Sequence, residues 1–167
     1  MKIPDINTRS IGPMTMHHFG IQKPVVTGHI PNDAVVVFCW GEIDCRCHVH
    51  KFQPYKECID ELVKNYAENV RSHAITHPNL WIYNVVPPPK RDENSENCNG
   101  GFPFVGTNED RLKYVLYMNE RLKKTGIPFI DVYSKYCDED GFLRNDMTVD
   151  HVHVSEEKPL IEWMNSI

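Results

Sequence analysis

The strongest hydrophobic signal in the chain is Ala34-Val35-Val36-Val37-Phe38-Cys39-Trp40, which follows an Asn32-Asp33 turn. A β-branched apolar run without polar alternation predicts a central strand buried on both faces. From about Pro54 to Ala74 the period changes. Tyr55, Cys58, Ile59, Leu62, Tyr66 and Val70 recur at helical spacing, with Lys56, Asp60, Glu61 and Lys64 between them, and Pro54 suits a first turn. Asn79 to Val86 reads as the next strand, stopped by Pro87-Pro88-Pro89.

A Pro/Asn/Gly-rich loop then runs from Pro87 to Gly106, long enough to be functional. Thr107 is a candidate cap with Asp110 as its capping-box partner. Leu112, Val115, Leu116 and Leu122 form that helix's apolar face, and Gly126 ends it. A strand over Ile127–Tyr133 and a short helix over Lys158–Met164 complete the order, and a first strand is expected near Arg9–Gly12. Strands alternating with helices predict one α/β domain over residues 1–167, with a mostly parallel central sheet and helices on both faces.

Composition narrows the function classes. The 167 residues are 41% hydrophobic and 25% charged, with a formal charge of −5, which argues against a nucleic-acid partner because phosphate binding needs clustered Lys and Arg. The longest apolar run is far shorter than a membrane span, and the first residues lack a secretory h-region. A cytoplasmic protein is expected. Cys39, Cys45, Cys47, Cys58, Cys98 and Cys137 are expected as free thiols, since a chain of this length needs no disulfide framework.

Ligands in an open parallel sheet lie beyond the carboxyl ends of its strands. Three segments should converge there: Gly12–His18, Gly41–His50 and Asp140–His153. They hold His17, His18, His48, His50, His151 and His153, six of the nine histidines, a concentration that core packing alone does not explain.

Asp150-His151-Val152-His153, followed by Val154-Ser155 and a terminal helix, resembles the closing Asp-x-x-His block of the SGNH (GDSL-like) hydrolases. Phe129–Tyr133 and Asp140–Leu143 are similar to the approach to that block, and Gly41-Glu42-Ile43-Asp44 to the family's middle block. Two positions depart from the pattern. Gly12-Pro13-Met14 stands where the nucleophilic Ser is expected, and Ile43 where an oxyanion-hole Asn is expected. The resemblance implies a three-layer α/β/α fold and an esterase or deacetylase acting on an acylated carbohydrate or small ester.

On that reading His153 is the general base and Asp150 orients its ring. Thr15 is the first loop's best hydroxyl nucleophile, or caps a helix, and water activated by His153 is a third route. Met14, Gly41, Asp44, Arg46 and His17 are candidate substrate or oxyanion contacts, Arg46 either for an anionic or hydroxyl-rich group or as a structural ion pair. Phe102 and Phe104 are lid candidates. No cofactor is required, although Cys45, Cys47, His48 and His50 offer soft ligands for zinc; on an extended segment the two thiols would share one face and the imidazoles the other. A catalytically inactive domain binding a glycan or protein partner is the alternative.

Overall fold

The computed structural model describes residues 14–91, 103–148, 153–156 and 158–166. Its elements are α1 (Met16–Gln22), β1 (Val36–Phe38), α2 (Tyr55–His73), β2 (Leu80–Tyr83), α3 (Asn108–Lys123), β3 (Phe129–Ile130), α4 (Tyr133–Tyr136) and α5 (Lys158–Met164). The fold is α/β. The three strands are parallel in the order β1-β2-β3, with Phe38 opposite Ile82 and Tyr83 opposite Ile130. Parallel neighbours need crossover connections, which α2 and α3 provide. The expected first strand at Arg9–Gly12 lies outside the described residues.

The strands differ from the sequence expectation in a physically instructive way. β1 covers only three of the seven apolar positions. It alternates instead of being buried on both faces: Val36 and Phe38 enter the core, while Val35 is 57% and Val37 41% exposed. Among the described residues β1 is an edge strand, and no described element covers Val37. A run of β-branched residues reports strand propensity, but burial is decided by which layer lies above. β2 is the middle strand. β3 is only Phe129–Ile130, because Tyr133 already begins α4.

The helices follow the sequence pattern closely. α2 turns Ile59, Leu62, Val63, Tyr66 and Val70 into the core, where they meet Phe19, Phe38, Leu80, Ile82, Val115 and Met118. The Thr107 hydroxyl accepts from Asp110 N–H at 3.1 Å, and the Asp110 carboxylate accepts from Thr107 N–H at 3.2 Å, completing the capping box. Leu116, expected on the buried face of α3, is 49% exposed. On the opposite side of the sheet, Trp163 of α5 meets Trp81 edge-on, with ring centroids 4.8 Å apart. No helix among the described residues is long and apolar enough to cross a membrane.

Gly20 lets α1 lie against α2, since a Cβ there would sit 2.9 Å from Tyr66 N. The Tyr66 side chain is fully buried beside this contact, and its hydroxyl has no hydrogen-bond partner among the described residues. A buried unsatisfied hydroxyl is destabilising. Tyr66→Phe should therefore raise stability by about 1 kcal/mol, read as a higher urea midpoint at unchanged slope.

Two buried histidines tie down the connection between α1 and β1. His73 Nε2 accepts from Val26 N–H at 3.3 Å, so its proton is on Nδ1, which donates to Asn69 C=O at 2.8 Å. His77 Nε2 lies 3.0 Å from Ile30 C=O and donates to it; Nδ1 is then the acceptor for the Thr76 hydroxyl at 2.8 Å. Each ring uses both nitrogens.

Candidate functional site

The strands end together on one rim. Two buried asparagines hold the chain there once strand pairing stops. The Asn119 side chain brackets Val85, accepting from its N–H at 2.7 Å and donating to its C=O at 2.9 Å. Asn84 Oδ1 accepts from Val132 N–H at 3.0 Å, extending the link between β2 and β3. The segments after β1, β2 and β3 all leave from this edge.

Asp44 joins two of the expected site segments. Its carboxylate is fully buried and accepts from Met16 N–H at 2.7 Å and His17 N–H at 3.2 Å. Burial pushes this carboxyl above the usual range, while the two amides and the nearby His48 and His17 pull it back down. Thr15 is the cap of α1: its hydroxyl accepts from His18 N–H at 3.0 Å, and its C=O from Phe19 N–H at 3.1 Å. The first-turn amides of α1 are thus all engaged within the protein. Met14 packs partly buried against the core, and the side chains of His17 and His18 face solvent.

The 41–50 segment is helical where the sequence reading had it extended. Gly41, at φ 114°, makes the bend, and its C=O accepts from Cys45 N–H at 3.0 Å. A π-helical turn, Asp44–His48, and a 3₁₀ turn, Val49–Lys51, follow. Residue alternation therefore does not sort the ligands by face. Cys45 and Cys47 are both buried, the Cys45 Sγ lies 3.7 Å from Met118 Sδ, and burial raises both thiol pKa values. His48 sits near Asp44, and burial lowers its pKa. His50 Nδ1 is 3.0 Å from the Tyr114 hydroxyl. Among the described residues no group of three His, Cys, Asp or Glu side chains is arranged to hold a metal ion.

Arg46 is nearly buried and grips Glu42 with both arms, Nε to Oε1 at 2.5 Å and an Nη to Oε2 at 3.1 Å. Its guanidinium also faces the Phe104 ring at 5.0 Å, a ring shared with Arg91 at 4.4 Å and Arg111 at 5.3 Å. Phe104, expected as a lid, is a half-buried post among three guanidiniums. Arg111 donates to Gly106 C=O at 2.7 Å and to Asn108 Oδ1 at 2.6 Å. The Asn108 side chain also pairs with Arg91 N–H and C=O. Sequence reasoning missed Arg91, Asn108 and Arg111; the signal within reach was Glu42 four residues before Arg46, a helical ion-pair spacing.

His153 is exposed and precedes Val154, which forms an antiparallel bridge with Thr148. Ser155 N–H adds a bond to Met147 C=O at 2.9 Å. Met147 and Val154 pack on Tyr83, Ile130, Val132, Tyr136 and Leu143, the cluster at the carboxyl ends of β2 and β3. This puts His153 toward the β3 side of the rim, with Thr15 and Asp44 toward β1. Asp150, His151, Gly12, Pro13 and Cys98 lie outside the described residues. An open cleft of about 630 Å³ is lined by Lys90, Arg91, Asp138, Leu143, Arg144, Asn145 and Asp146.

Set against protein-family models and against curated proteins, the chain matches none.

Proposed function

We propose that this chain is an SGNH-like ester hydrolase of three-layer α/β/α architecture, acting on an acylated carbohydrate or other small ester. The observation that carries the reading is the exposed His153 on a segment packed at the carboxyl ends of β2 and β3. That edge is where open parallel sheets place their chemistry. In the reaction, His153 takes a proton from water as the water oxygen attacks the ester carbonyl. It then returns that proton to the departing alcohol oxygen as the C–O bond breaks. Asp150 would hold the imidazole in one tautomer and stabilise its charged form.

The test is turnover of 4-nitrophenyl acetate by purified protein. His153→Ala should lower kcat/KM by at least about 100-fold without changing the melting temperature, since the side chain is exposed. An unchanged rate refutes the role. A binding domain that retained the fold is the second reading. It is favoured by one observation: Asp44 and Thr15 already engage the amides of Met16, His17 and His18, so those three donors are not aimed at an oxyanion. On this reading the native protein turns over no ester at all.

A further inference from the structure

We infer that the cleft between Lys90-Arg91 and Leu143–Asp146 holds the polar part of the ligand, and that this part is an acidic sugar. The assignment rests on the ester-hydrolase reading, because it names the portion of substrate held by the wall that continues into the strand bridge beside His153. The cleft's volume, about 630 Å³, is that of a small-molecule site. Continuity of chain joins it to the rim: its wall 143–146 runs into Met147 and Thr148, which bond to Ser155 and Val154 beside His153. Leu143 N–H donates to Pro88 C=O at 2.9 Å and fastens that wall to the segment after β2.

Charge and exposure define what the cleft can take. Lys90 pairs with Asp140 at 3.3 Å, and Arg144 clasps Asp146, with Nε 3.0 Å from Oδ1. All four side chains are well exposed, between 41% and 64%. Exposed ion pairs contribute little, a median of about 0–1 kcal/mol, so a ligand carboxylate can replace Asp140 or Asp146 at small cost. The Arg144 fork is suited to grip such a carboxylate with two parallel bonds. Asp138 does not compete, because its Oδ1 accepts from Asp140 N–H at 3.0 Å and Phe142 N–H at 2.9 Å. Asn145 is exposed and offers a donor and an acceptor for hydroxyls.

The experiment titrates the native protein with glucuronate and with glucose, followed by amide chemical shifts. Glucuronate should bind saturably and at least about tenfold more tightly than glucose. The Lys90→Ala/Arg144→Ala double variant should weaken glucuronate by at least about tenfold and keep the native melting temperature. Equal affinity for the two sugars, no saturable binding of either, or a double variant that binds as well as native protein overturns the inference. His153→Ala separates it from the catalytic reading: that protein should lose turnover and keep glucuronate affinity. Glucuronate binding by a native protein that hydrolyses no ester would sink the hydrolase reading alone.

Discussion

Gly41→Ala should destabilise the protein by roughly 3 kcal/mol or more, the sum of a backbone and a packing effect. At φ 114° the residue occupies a region that L side chains rarely adopt. A methyl group would also stand 2.8 Å from Val85 Cγ2, 2.9 Å from Met118 Sδ and 3.0 Å from Met16 Cε. The methionines can yield, but Val85 is stiff and sits on the chain bracketed by Asn119. Urea unfolding at constant slope gives the loss directly. The bend is also what turns the chain from β1 into the Asp44–His48 turn, so the α1 contact should loosen in the same variant.

Asp44→Ala is expected to cost about 3 kcal/mol, because it strands two backbone donors, Met16 N–H and His17 N–H, at about 1–3 kcal/mol each. Relief of a buried charge offsets part of that. The pH dependence separates the two contributions. Since burial raises the Asp44 pKa, the folded protein binds the proton more tightly than the unfolded chain. Native stability relative to the variant should therefore fall as pH rises above about 4. It should then level off beyond the folded value. Paired urea midpoints across pH 4–8 measure the difference. A gap that widened with pH would mean that the two amides outweigh desolvation.

What the sequence disclosed depended on whether the signal was local. The α2 face, the Thr107–Asp110 capping box and the Lys158–Met164 helix each arise from residues within a few positions of one another, and each stands as expected. Strand burial did not transfer, since the exposure of Val35 and Val37 depends on elements far away in sequence. The 41–50 segment misled for a similar reason. Its alternating Cys and His residues suggest an extended ligand strip, whereas the Glu42–Arg46 pair and the bend at Gly41 wind it into a helix. Of the candidate site, the Thr15 and Asp44 segments meet as expected, while the strand expected to lead into Thr15 lies outside the described residues. The use of Asp44 on main-chain amides was not, because no pattern in the chain announces which backbone donors a carboxylate will serve.

The two imidazoles of α2 and the turn behind it grip their loop only by its peptide groups, at positions 26 and 30. A contact made to main chain is indifferent to the identity of the side chain it passes. The exposed positions Gly28, His29, Pro31, Asn32 and Asp33 are therefore free to drift, provided the backbone keeps its path. His73 and His77 have no such latitude, for few other neutral side chains place a donor and an acceptor on opposite sides of one rigid ring. Sequence change in this corner of the molecule should collect in the loop and spare the residues that hold it.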